Sequence, residues 1–336
     1  MINHQSQGLS WFQIFRLGIV QLGIGGMVVI TTSTLNRVMV VELLLPAAVP
    51  GLLVMAHYLV QMLRPRMGHG VDKGRKATPW IMGGLLILAA GSIVSSFSII
   101  PMFENRLGGL LIATVGFLLI GIGVSAAGTS LLTFLAKNVD EEKRAASAGV
   151  LWIMMIAGFA ITAMITGSLL DPFTPARLFI VCSSVTFCLL SLSLLAIWRL
   201  ENRLVRKTLK TSTQKKMVSG GFLGAISAIW EEKETRLFTF FVFASMFAFS
   251  MQDLILEPFA GSVFDLTPGE TTKLSGIQHA GVFVGMILVS VICSGRFSTK
   301  KIGSLNLWIT IGCMLSCLAL LVIAILASGA TSIHLQ

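Results

Sequence analysis

Charge is what this sequence has least of. Lys, Arg, Asp and Glu together make up 12% of its 336 residues and apolar residues 54%, whereas a water-soluble chain carries about 25% charged residues. That shortage excludes an ordinary soluble domain and implies an integral membrane protein. Paired cysteines are missing as well. Cys182, Cys188, Cys293, Cys313 and Cys317 fall in apolar stretches and form no CxxC pair, so they are expected as small apolar residues in helix contacts rather than as metal or disulfide ligands. There is no nucleophile beside a base, no nucleotide loop and no cluster of metal ligands, so no enzyme activity is expected. Gly121, Gly123 and Ala126 in "GIGVSAAGTS" match GxGxxA, but no soluble strand precedes them, and small residues inside an apolar helix serve close helix packing. The opening "MINHQSQGLSWFQIFR" lacks a basic segment and a small-residue cleavage site, so the first apolar run is expected to be retained.

Long apolar runs are what the sequence does have. Nine are long enough to span a bilayer: 16–38, 46–63, 79–100, 107–136, 145–168, 178–198, 237–259, 272–294 and 303–327. Each is expected to be a helix, because helices and closed barrels alone satisfy their backbone groups in lipid. The net charge of +10 follows the connectors: 21 of the 25 Lys and Arg fall on alternate ones, leaving Arg37, Arg106, Arg177 and Lys273 on the other side. By the positive-inside rule the basic side and the N-terminus are cytoplasmic. The basic surplus therefore reads as a topology signal and a surface for anionic lipid heads, and no nucleic-acid partner is expected.

The polar stretch 199–236 separates six spans from three. It divides the chain into an N-terminal six-helix bundle (1–198), a cytoplasmic basic linker (199–236) and a partial three-helix bundle (237–336). Within the linker, "GFLGAISAIW" has the pattern of a short helix lying on the membrane surface. The halves echo each other: His57 lies eleven residues after Pro46 and His279 eleven after Pro268, and a basic glycine-containing loop follows each histidine. The expected fold is an all-α polytopic membrane protein with two bundles in parallel repeat, as in major-facilitator-type transporters, the second bundle being incomplete.

Polar groups inside such spans point to function. Asp253 and Glu257 in "MQDLILEPFAG" are four apart and share a helix face, with Gln252 adjacent. Glu257 precedes Pro258, where the helix is expected to break, so Glu257 is placed at the hydrated outer interface and Asp253 about a turn deeper. Arg37, in the corresponding place of the first half, is expected to face the two acids and offset their charge. His57 and His279 each read singly as hydrogen bonders between helices; their matched positions add a reading as neutral imidazoles offered to a metal. In "RPRMGHGVDKGRK", Gly68, Gly70 and Gly74 permit a tight turn while Asp72 and Arg75 supply charge, which suits a cytoplasmic gate between helix ends. His69 in the same loop is expected to be solvated.

These residues resemble a known family, the PucC and LhaA type of bacteriochlorophyll-delivery proteins in the major facilitator superfamily. The resemblance covers most of the chain. It rests on "RLGIVQLGIGGMVVITTSTLNRVMVVELLLPAAVPG" through "RPRMGHGVDKGRKATPWI" and on "MQDLILEPFAGSVFDLTPGETTKLSGIQHAG", of which "QDLILEPFAG" is the specific part. It implies a protein of the intracytoplasmic photosynthetic or thylakoid membrane that binds or hands over (bacterio)chlorophyll to light-harvesting polypeptides. Asp253, Glu257 or an intervening water would serve the pigment magnesium, with His57 or His279 as alternatives. The family has twelve spans and this sequence nine, so the resemblance implies a fragment or a second half completed by something else. Two other classes fit the same residues: a proton- or sodium-coupled carrier of a small solute with Asp253 as the coupling acid, and a pigment-free chaperone that holds antenna helices.

Overall fold

Residues 8–62, 64, 76–200, 230–293 and 305–334 are described by the computed structural model, and no strand occurs among them. Each of the nine expected spans appears as a helix. In chain order these are α1 (Trp11–Val29, continuing through Ile30–Leu35 and Val38–Glu42), α2 (Ala48–Gln61), α3 (Ala77–Met102), α4 (Arg106–Asn138), α5 (Glu141–Leu170), α6 (Pro175–Ile197), α7 (Lys233–Val263), α8 (Pro268–Cys293) and α9 (Leu305–His334). Eight are long and apolar enough to cross a membrane, which makes the chain an all-α, multi-pass membrane protein. The exception is α2, shorter than its apolar run at 14 residues, or about 21 Å.

Local sequence sets the helix starts. Ser10 and Gln13 form a reciprocal capping box on α1, as Thr267 and Glu270 do on α8, where each backbone N–H is taken by the other's side chain. Asn105 caps α4 through Gly108 N at 3.0 Å, and Thr174 caps α6 through Arg177 N at 3.0 Å with Pro175 following.

Small residues then set the packing. An added Cβ on Gly84 would meet Ala127 N at 2.4 Å, and one on Gly123 would meet Leu88 N at 2.4 Å, so α3 and α4 lie backbone against backbone. Gly121 serves the same purpose against the His57 carbonyl of α2. The cysteines do less: Cys182 is buried, whereas Cys188, Cys313 and Cys317 are exposed on helix surfaces, which corrects their expected role in helix contacts. In a bilayer an exposed thiol on an apolar helix faces lipid as cheaply as a methyl group.

Two buried clusters mark the two ends of the molecule. One joins Leu9, Ile14, Ala77, Leu135, Val139 and Leu200, and there Leu9 N donates to Asn138 O at 2.8 Å and Arg16 Nε to Ala196 O at 2.8 Å. The other joins Leu35, Leu43, Met102, Leu170 and Leu178. The turns after α1 and α7 lie at this second end, and each holds a left-handed residue, Leu44 at φ 52° and Asp265 at φ 51°. The second group of helices docks on the first mainly through α8 against α5, where Gly167 faces Gly269 O and Lys273 N, and Gly276 faces Met164. The proposed gate residues Gly68, Gly70, Asp72, Gly74 and Arg75, together with His69, lie outside the described residues. So does 201–229, which holds most of the expected linker and all of "GFLGAISAIW" but Trp230.

Candidate functional site

The first helix changes character at Ile30. Residues Ile30–Leu35 and Val38–Glu42 are wound as π-helix, a form that appears in short pieces, frequently at functional sites. The local cause is visible in "TTSTLNR": the hydroxyls of Thr31 and Thr32 both donate to Val28 O, at 2.8 and 3.2 Å, and compete with the ladder for that carbonyl. Widening the helix turns Thr31, Thr32, Ser33, Thr34, Asn36 and Arg37 all inward, where every one is buried. Sequence reasoning singled out Arg37 alone. Four consecutive hydroxyl residues in an apolar run were the available signal.

This polar stripe meets α7 and α8. Ser33 Oγ hydrogen-bonds to Glu257 Oε1 and sits 3.0 Å from Ser275 Oγ, while Thr272 Oγ1 donates to Thr34 Oγ1 at 3.4 Å. His279 donates from Nδ1 to Ser275 O at 2.8 Å, which aims its Nε2 at Asp253 Oδ1, 3.6 Å away. Phe159 of α5 closes over the same imidazole edge-on, with ring centroids 5.0 Å apart.

Asp253 lies one turn farther from the end of α7 than Glu257, as expected, but the burial of the two acids is the reverse of that expected. Glu257 is 1% exposed, whereas the Asp253 side chain is 20% exposed. The reason is Pro258, which does not end the helix; α7 runs on to Val263 with the proline inside it. A proline there cannot donate to the carbonyl four residues back, and that carbonyl, Leu254 O, instead accepts from Asn36 Nδ2 at 2.7 Å. The first half of the chain thus supplies the hydrogen bond that the proline removes, and the helix carries Glu257 into the interface rather than out to water.

Arg37 is redirected as well. Its Nη1 pairs with Glu42 and its Nη2 donates to Leu266 O at 2.6 Å. Gly261 admits it to α7, since a Cβ there would lie 3.0 Å from Arg37 Nε. Neither Asp253 nor Glu257 is its ion-pair partner among the described contacts, since Glu42, five residues along the same wound helix, reaches the guanidinium first; Arg37 still lies near enough to Glu257 to offset part of its charge, as expected, but through space rather than by direct pairing. His57 stands apart from the cluster. It is 2% exposed, its Nε2 accepts from the Gln61 amide at 2.7 Å, and it packs beside Tyr58. The matched spacing of the two histidines therefore does not bring them together.

Among the described residues, cavities open along α7, three of which bear on the site. One of about 630 Å³ lies between α2 and α7 and is lined by Gly51, Met55, Tyr58, Phe243, Met246 and Phe247 among others. A second, of about 540 Å³, lies between α7 and α9 and includes Met251, Gln252, Phe259 and Leu320. A third, of about 360 Å³, joins them through Asn36, Gly51, Met251, Leu254 and Phe259. All are apolar and of ligand size, within the roughly 300–1,000 Å³ typical of small-molecule sites. Of the candidate site residues, Gln252 lines the second cavity; Asp253, Glu257, His57 and His279 line none of the three. Among the described residues no three His, Cys, Asp or Glu side chains converge on a metal position.

A family model describing the PUCC protein matches residues 34–334. The chain belongs to the PucC family. The match takes in the wound part of α1 from Thr34 onward, the whole of α7 and α8, and so most of the polar cluster. The chain is 46% identical over 319 residues to a Rhodobacter capsulatus protein named "Bacteriochlorophyll synthase 44.5 kDa chain", covering 95% of this chain and 72% of that one. It is 29% identical over 320 residues to Protein PucC of Cereibacter sphaeroides, covering 90% and 67%. To Protein PucC of Rhodovulum sulfidophilum it is 28% identical over 307 residues, covering 86% and 66%. The chain thus spans between about two thirds and three quarters of these PucC-family relatives.

Proposed function

We propose that this chain binds (bacterio)chlorophyll within the membrane and passes it to light-harvesting polypeptides as antenna complexes are assembled. The observation that carries the reading is the run of cavities along α7, apolar, of ligand size and lined by several Met and Phe side chains with Gly51. Such a pigment brings a flat apolar macrocycle, a long apolar tail and a magnesium with an open axial position. Met side chains adapt to an irregular shape, Gly51 lets a ring approach the α2 backbone, and magnesium favours a hard oxygen ligand. The Gln252 amide oxygen fits that requirement from the wall of the cavity between α7 and α9. Membership of the PucC family, with a relative named for bacteriochlorophyll, supports the pigment class.

The role needs no covalent chemistry, and on this reading the chain is a binding and delivery protein rather than an enzyme. It operates in the photosynthetic inner membrane, intracytoplasmic or thylakoid, with its N-terminus cytoplasmic and the stretch 199–236 joining a six-helix unit to the helices that carry the site. The test is purification from pigment-making cells. A (bacterio)chlorophyll absorption band is expected to co-elute with the protein. Gln252→Leu is expected to weaken retention roughly tenfold, the equivalent of losing about 1.4 kcal/mol, and Met251→Trp to fill the cavities and release the pigment. A folded, colourless preparation from such cells would overturn the reading.

A further inference from the structure

The cavities leave the buried cluster beneath them unexplained. Glu257 is 1% exposed, yet among the described residues its carboxylate has no ion-pair partner, and its Oε2 has no hydrogen-bond partner at all. The nearby cation, Arg37, pairs with Glu42 and donates to Leu266 O; its Nε is left without a partner, yet it makes no ion pair with Glu257 among the described contacts. Asp253 faces His279 Nε2 at 3.6 Å rather than Glu257. One buried negative charge is left over, which is costly at membrane depth.

Two occupants would neutralise it, and the geometry separates them. A proton on Oε1 donates to Ser33 Oγ and cancels the charge, but it leaves Oε2 a buried acceptor without a partner. A metal cation held by the carboxylate removes both faults together. The oxygens beside it are hydroxyls: Ser33 Oγ, bonded to Glu257 Oε1, and Ser275 Oγ, 3.0 Å from Ser33 Oγ. This is an all-oxygen set with one formal charge, suited to a hard cation of single charge, and its close spacing favours a small one. We propose that Glu257, Ser33 and Ser275 form a sodium site at the junction of α1, α7 and α8. Its ligands come from both sides of the 199–236 stretch, so a bound ion clamps the second group of helices onto the wound part of α1.

Thermal unfolding of the full chain in detergent, followed by tryptophan fluorescence, tests this with sodium, potassium and choline chlorides at equal ionic strength. A saturable rise in Tm with sodium, exceeding that with potassium, is expected from mass action. Glu257→Gln is expected to abolish the sodium response. Ser275→Ala and Ser33→Ala are each expected to raise the half-saturating sodium concentration roughly tenfold. Equal Tm values in all three salts for the folded wild-type protein would overturn the proposal, as would a full sodium response in Glu257→Gln. Should Glu257→Gln fail to fold, an undiminished response in both serine variants overturns it instead.

Discussion

Arg37 shows how a buried charge is held in this protein. Its side chain is 3% exposed against 31% for Glu42, so the two partners stand to lose different amounts. Arg37→Met removes the buried charge itself but leaves Leu266 O without its donor, and is expected to cost about 1–3 kcal/mol, the penalty for an unsatisfied buried acceptor. Glu42→Gln keeps an acceptor oxygen on a partly hydrated side chain and is expected to cost only about 1 kcal/mol. Denaturation midpoints of the two variants check the difference, and equal losses would mean that the Leu266 contact contributes nothing. At this scale the sequence was legible in kind but not in direction. Asp253, Glu257, Arg37 and His279 were identifiable as polar groups in apolar helices, and all four lie around one interface. Their pairing depended on Pro258, whose neighbour on the vacated carbonyl, Asn36, lies 222 positions earlier in the chain. A long-range partner of that sort leaves no local trace, so the proline read as a stop and Glu257 as a hydrated end.

Among the elements, existence was easy to read and winding was not. Length and apolarity alone mark every span, because a helix in lipid needs no partner to form. The π-helical part of α1 arises from competition among hydroxyls for one carbonyl, a matter of tenths of an ångström that periodicity does not register. The glycine seam lies between these extremes, since "GIGVSAAGTS" announces close packing without naming the surface it meets. Gly123 answers to Leu88 N and Cα, at 2.4 and 2.6 Å from an added Cβ, and neither backbone atom can retreat without moving α3. Gly123→Ala is therefore expected to destabilise by about 1–3 kcal/mol, the usual penalty for overpacking. Gly128, on the same helix with nothing within 4 Å, supplies the control. Gly128→Ala is expected to be neutral or stabilising by up to about 1 kcal/mol from helix propensity. Equal losses in the two unfolding curves would count against the seam.

For the molecule as a whole, the deciding quantity is the asymmetry of charge between its ends. The helix ends that meet through Leu9, Asn138 and Ala196 belong to the side where 21 of the 25 cations fall, and the end that gathers Leu43, Met102 and Leu170 belongs to the side with four. Lys and Arg resist translocation across an energised membrane, so the first end is expected in the cytoplasm and the second outside it. Glu104, in the exposed turn between α3 and α4, and Glu142, in the exposed first turn of α5, report on the two ends. In a background with all five cysteines replaced, a membrane-impermeant maleimide added to intact spheroplasts is expected to label Glu104→Cys and spare Glu142→Cys. Inverted vesicles are expected to reverse the pattern. Labelling of Glu142→Cys from the outside would invert the molecule, and it would place the wound end of α1, with Arg37 and the junction around Glu257, toward the cytoplasm, where an antenna polypeptide and a sodium gradient would meet it from the other direction.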